Sequence, residues 1–152
     1  MAVINWGKPK IQFLKYVDGK YPESAEDWQD LDTPVQDSTT IETSEGEKKE
    51  AKEEGGAIID TIREVSNYSL KFSLYEKKGK EKQIVDTNGI VEDLYAFRLF
   101  PENDQTNNGY LFKKCSVSFA QTYNAAGGGR WEYTVDALKP DDGSAILQRY
   151  IA

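Results

Sequence analysis

The chain has 152 residues, a net charge of −7 and a pI near 4.7, which fits one domain long enough to bury a hydrophobic core. An acidic balance of this size argues against affinity for phosphate backbones, which Lys and Arg supply, and against anionic membranes. The chain contains no histidine, the commonest general base and metal ligand, and its single cysteine excludes an intramolecular disulfide.

Aromatic residues are plentiful, with nine Tyr, six Phe and three Trp, against a mean hydropathy of only −0.68. That is not a disordered composition. It leaves room for part of the apolar surface to be buried between subunits. The opening segment, MAVINWGKPK, has no apolar run of the secretory kind, and no stretch approaches the length of a membrane span. The expectation is a protein made and kept in the cytoplasm of its cell.

In chain order, residues 1–9 read as an extended arm, since Pro9 biases its predecessor away from helix. Lys10 to Val17 predicts a strand, with Ile11, Phe13 and Val17 on one side, Gln12 and Tyr16 on the other, and Leu14 out of pattern. Asp18-Gly19 ends it. Tyr21 to Asp32 has two readings. One is a single helical turn capped by Ser24 with Asp27 three residues on; the other is a loop leading to a short strand at Trp28 to Leu31.

Thr33 to Gly56, TPVQDSTTIETSEGEKKEAKEEGG, is the unusual stretch. It is too polar to build a core of its own and too long for an ordinary connection in a compact β domain. Thr39, Thr40, Ile41 and Thr43 favour strand, while EGEKKEAKEEG has good helix formers. A free helix this short is marginal in water, so an extended β-hairpin or loop is preferred over a helix.

Ala57 to Val65 predicts a strand with Ile58 and Ile62 opposite Ile59 and Val65, hence covered on both faces, followed by a tight turn at Ser66-Asn67. Ser69 to Tyr75 is the cleanest alternation, with Leu70, Phe72 and Leu74 on one face. KKGKEK at 77–82 is a basic turn. Residues 84–93 are ambiguous and have room for a short helix. Leu94 to Phe100 is an aromatic strand stopped by Pro101, and 102–109 is a polar loop. Tyr110 to Tyr123 and Arg130 to Leu138 form a hairpin around NAAGGG, then a Pro140–Gly143 turn leads to a short terminal arm at 144–152. Seven or eight strands with turns between them predict a mainly β, single-domain antiparallel sandwich or barrel with at most one or two short helices.

The sequence holds little recognisable chemistry. Gly127, Gly128 and Gly129 lack the Lys-Ser/Thr of a phosphate loop. Asp86, Asn88 and Glu92 miss the calcium-loop spacing, and a plain Asn-Gly turn explains them better. Cys115 sits in an alternating segment as a small buried hydrophobe. Trp6, Trp28 and Trp131 offer a sugar-stacking platform, but packing explains them better. No enzyme activity, cofactor or metal is expected.

The order of these segments is similar to that of the major tail tube proteins of long-tailed bacteriophages and prophages. The likeness is carried by TSEGEKKEAKEEGG before a strand, by NYSLKFSLYEKKGK and FRLFPEND, and by the closing RWEYTVDALKPDDG. It implies a β-sandwich or barrel with a flanking helix at residues 80–93 or 23–31. It further implies hexameric rings stacked into a tube for genome passage, assembled in the bacterial cytoplasm and ending in the virion tail. Partners would be further copies of the chain and other tail proteins such as an initiator, terminator or sheath. DNA would pass through the lumen without specific binding. Under this reading Thr39, Thr40, Ile41, Glu42, Thr43, Glu45, Glu47, Lys48, Lys49, Glu50, Lys52, Glu53 and Glu54 form the subunit interface, with the termini as secondary contacts. The alternative is a β-sandwich module that recognises carbohydrate or a cell-surface protein.

Overall fold

Leu70, Phe72 and Leu74 turn inward from strand β6 (Asn67–Tyr75) and meet the inward residues of β9 (Gly128–Ala137), namely Trp131, Tyr133 and Val135. In the computed structural model, residues 9–16, 21, 28–100 and 109–150 are described. Every regular element among them is a strand. β1 (Lys10–Lys15), β2 (Gln29–Asp30), β3 (Thr40–Ser44), β4 (Lys48–Lys52) and β5 (Ile58–Arg63) precede β6. β7 (Tyr95–Phe100) and β8 (Gly109–Asn124) lie between β6 and β9, and β10 (Gln148–Tyr150) follows. The antiparallel order is β2-β1-β7-β8-β9-β6-β3, with β10 added beside β8; β4 and β5 form a separate pair.

The long strand β8 turns this one sheet into two packed layers. Its first half pairs with β7 and its second half with β9, and Cys115 faces Tyr95 on one side and Ala137 on the other. Between Tyr95 and Phe97 the register slips, so that Lys113 and Lys114 oppose Ala96 alone. Such a bulge bends a strand and lets it pass from one layer to the next. Phe72 of β6 and Phe97 of β7 belong to strands far apart in the sheet, yet their ring centroids are 6.3 Å apart. Layer one is therefore β2-β1-β7 with the start of β8, and layer two is the end of β8 with β9, β6 and β3. The core between them is a chain of rings: Phe13 to Phe97, Phe97 to Phe72, Phe72 to Tyr133, and Tyr133 to Phe119.

Several sequence expectations change here. β1 buries Ile11, Gln12, Phe13 and Leu14 in succession, because both its faces are covered. Ile11 and Phe13 enter the main core; Leu14 and Tyr16 join Ala96, Tyr21, Trp28 and Leu94 behind the first layer. Gln12 is held on that rear face between Asp30 Oδ1, 2.6 Å from its amide nitrogen, and Arg98 Nε, 2.5 Å from its carbonyl oxygen. Of the two readings of 21–32, the short strand holds as β2; residues 22–27 lie outside the described residues, as do 1–8 and 101–108. Residues 80–93 form no helix. Ile84 and Val91 are buried in the core, Tyr133 Oη donates to Ile84 O at 2.8 Å, and Asn88-Gly89 makes a tight turn with both φ angles positive (53° and 83°). The flanking helix implied by the resemblance is not present at that position.

The Pro140–Gly143 turn is tied to the bulge by Lys113–Asp142 and Lys114–Asp141, both at 2.9 Å, and Asp142 also accepts from the Ser144 N–H and hydroxyl. The Ser144 hydroxyl, then the Lys113 ammonium, hold the Asp142 carboxyl well below the usual carboxylate range. A carboxyl depressed in the folded state adds stability that is present above the unfolded value near 3.8 and is lost as pH falls through the folded one. The expected result of a carboxyl-carbon NMR titration is a low midpoint for Asp142 that moves up in Ser144→Ala. An unshifted Asp142 in the parent protein would mean that the clamp does not form.

Candidate functional site

Residues 47–53 are glutamate and lysine apart from Ala51, so this segment has no large apolar side chain of its own to bury. It forms β4, paired only with β5: Lys48 with Arg63, Lys49 with Ile62, Glu50 with Thr61 and Ala51 with Asp60. A one-residue bulge at Ile59 precedes the pairing of Lys52 with Ile58. The tip is closed by Glu53 N–H to Ala57 O (2.9 Å) and Gly56 N–H to Glu53 O (3.0 Å). Gly55 and Gly56 adopt φ of 94° and 91°, a region in which side chains are disfavoured. The preferred extended hairpin is thus the observed form, and the helical alternative is not.

β3 and β4 run on in one direction, and β5 and β6 return alongside them. Ser44 still pairs with Asn67, and Glu64 N–H donates to Glu47 O at 2.9 Å. The expected turn at Ser66-Asn67 is therefore absent: those residues continue one side of a long hairpin whose base is in the body and whose tip stands clear of it. Every residue from 47 to 65 is exposed.

The expected double coverage of Ala57 to Val65 is likewise overturned. Ile58, Ile59, Ile62 and Val65 are 53%, 61%, 62% and 74% exposed. The residues form the strand that their β-branching favours, but no other part of the described chain packs on it.

The thirteen residues assigned to the interface divide into two groups. Thr39, half-buried with its hydroxyl unpartnered, Thr40, Ile41, Glu42 and Thr43 belong to the body through β3. Ile41 packs on the core, and Glu42 reaches Lys71 at 3.1 Å. Glu45 marks the break. Glu47, Lys48, Lys49, Glu50, Lys52, Glu53 and Glu54 lie on the projecting part. There Lys48 and Lys52 flank Glu50 at 2.7 and 3.9 Å, and Lys49 reaches Glu64 at 3.4 Å. These exposed pairs contribute little each. Glu53 and Glu54, at the tip, make no ion pair among the described residues.

Sequence reasoning missed Gly46 at the base. A methyl built there would run into the carbonyl oxygens of Glu64 and, at 2.7 Å, of Val65. The signal available was a lone glycine within a strand-like run, a mark of close backbone approach. Gly46→Val should introduce about 1–3 kcal/mol of local strain. The expected outcome is faster amide exchange across β4 and β5 with unchanged protection in β6 and β9. Equal loss in both regions would mean that the hairpin and the body open together.

The other candidates occupy ordinary positions. Trp131 is in the core, and Trp28 is half-buried with the Arg98 guanidinium 4.5 Å from its ring. Asp86 already accepts from Lys82 Nζ and the Gly89 N–H, both at 2.8 Å. Cys115 is fully buried, and desolvation pushes its thiol pKa up. Compared with protein-family models and with curated proteins, the chain matches none.

Proposed function

We propose that this protein is a structural subunit that assembles with copies of itself into rings and stacked tubes, as in a phage or prophage tail. The observation that carries this reading is the β4–β5 hairpin. An isolated two-stranded hairpin is marginal in water, and this one exposes three isoleucines. Covering an Ile side chain fully contributes about 1.5–3 kcal/mol, so a neighbouring subunit would stabilise it substantially.

The edges of layer two supply a second support. On one side β3, Thr40–Ser44, is the last strand of the sheet. On the other, β8 has lost β7 after Cys115; the small turn at Thr87–Ile90 covers Ser118 and Phe119, and the edge from Ala120 to Asn124 has no neighbouring strand among the described residues. Two different open edges on opposite sides of one sheet suit head-to-tail pairing, which closes into a ring when the rotation permits. In such a ring the uncovered face of layer two suits the bore. It bears Ser116, Ser118, Thr122 and Thr134 together with Glu132 and Asp136. Its two cations among the described residues are engaged locally, Lys71 by Glu42 at 3.1 Å and Arg130 against the Tyr75 ring at 5.4 Å, so they form no continuous basic stripe that would hold DNA.

The test is light scattering on purified protein across concentration, followed by negative-stain microscopy of the heaviest fraction, with and without a pre-formed tail tip as initiator. Rings or hollow tubes are expected. A monomer under all these conditions would sink the proposal.

A further inference from the structure

The hairpin and the one strongly basic turn lie at opposite ends of β6. The hairpin leaves the body where Ser44 pairs with Asn67. The other end, Tyr75, pairs with Arg130 and is roughly 26 Å away at the usual strand rise. Glu76 N–H then donates to Gly129 O at 3.0 Å, which fixes the start of the KKGKEK turn beside the tip of the β8–β9 hairpin. Beside that tip lies a depression of about 530 Å³ lined by Tyr123, Asn124, Arg130 and Glu132, among others. Tyr123 is 79% exposed. Lys77 and Lys78 are exposed and make no ion pair among the described residues, whereas Lys80 is taken by Asp32. Three carboxylates share this end: Glu76, which accepts from Gln121 Nε2 at 3.0 Å, Glu81 and Glu132.

We propose that the hairpin of one copy docks at this far end of a second copy, with Glu53 and Glu54 against Lys77 and Lys78 and the β5 isoleucines against Tyr123. This deepens the assembly reading and rests on it. The two surfaces match in two respects. An acidic tip whose Glu53 and Glu54 make no ion pair among the described residues meets Lys77 and Lys78, which make none either, and an uncovered aliphatic strand meets an uncovered aromatic ring beside a depression. Complementary features at opposite poles also give the contact a direction. It is heterologous and cannot close between two copies, so it propagates along an axis. The pairing of sheet edges runs across that axis, and the two contacts together generate a tube rather than a single filament.

Cross-linking tests this directly, since buried Cys115 leaves no accessible thiol in the parent protein. Glu54→Cys protein is mixed with Lys78→Cys protein under mild oxidation, alongside a control mixture of Glu54→Cys with Lys139→Cys. Lys139 is exposed and lies beyond the end of β9 that faces Asn67 and Ser69. The expected result is a disulfide-linked heterodimer in the first mixture at about tenfold the control yield, and loss of assembly in Lys77→Glu/Lys78→Glu that is restored by adding Glu53→Lys/Glu54→Lys. If the parent protein forms tubes while both mixtures cross-link equally or not at all, the docking assignment is wrong and the assembly reading stands. If the parent protein does not assemble and the Glu54→Cys with Lys78→Cys mixture cross-links no more than the control, both fall.

Discussion

Phe72→Ala is expected to be the most destabilising single substitution in the body of the protein. Its ring is fully buried and touches Tyr133 at 5.4 Å within its own layer and Phe97 at 6.3 Å across the core. Removing a buried phenylalanine costs about 3–5 kcal/mol, a large part of the roughly 5–15 kcal/mol that holds a domain together. At about 2–4 °C per kcal/mol for a domain of this size, the melting temperature should fall by about 10 °C. Phe97→Ala should cost a similar amount. The double variant should cost less than the sum, because the two rings share the cavity that either deletion opens. Urea unfolding of the four proteins measures all of this. Additive losses, or a loss below about 1 kcal/mol for Phe72→Ala, would mean that the layers do not meet where these rings are placed.

The largest expected effect on assembly is the opposite kind of change, one that leaves the fold intact. Removing only residues 45–54 would strand β5 without a partner. The cleaner deletion replaces residues 45–66 with Asn-Gly, joining Ser44 directly to Asn67, which are already paired across β3 and β6. Asn-Gly suits a two-residue hairpin turn. The product should keep the circular dichroism and the cooperative melting of the parent, since no residue from 47 to 65 lies in the core. It should remain monomeric at concentrations where the parent forms rings or tubes. Tubes of normal length from this variant would remove the hairpin from assembly altogether.

Burial within one chain leaves a clearer mark on a sequence than burial that the single chain does not provide. β6 was legible because one of its faces is buried by its own chain and the other is wet, so hydrophobic residues fall on every second position. The β8–β9 hairpin was legible for the same reason, with a glycine-rich turn between its strands. β5 was not. Ile58, Ile59 and Ile62 point to burial, and periodicity reports a preference for burial without naming what does the burying. In the single chain nothing does, so the inference of two covered faces failed while the inference of a strand held. Residues 84–93 misled in the other direction. Ile84 and Val91 are core residues seven positions apart, a separation that matches two helical turns, but the Asn88-Gly89 turn between them, with both φ angles positive, keeps the chain irregular. In the charged arm the β-favouring residues pointed to an extended hairpin, but Gly46, the position at which the strands touch most closely, carries no charge and escaped notice.

The pairing of β1 with β7 has a further consequence, for the order in which the chain acquires its structure. Lys10 faces Phe100 and Lys15 faces Tyr95, so the first strand waits for a partner 80 to 90 residues downstream. The β8–β9 hairpin, by contrast, closes a short turn between residues that are neighbours in sequence. Closing long loops before contacts reward them is slow, and local pairings come first. On the ribosome, Ile11, Phe13 and Leu14 therefore emerge long before they can be covered, and β7 must be free of the exit tunnel before the first layer can form. The nascent amino-terminal strand is the segment of this protein most in need of a chaperone.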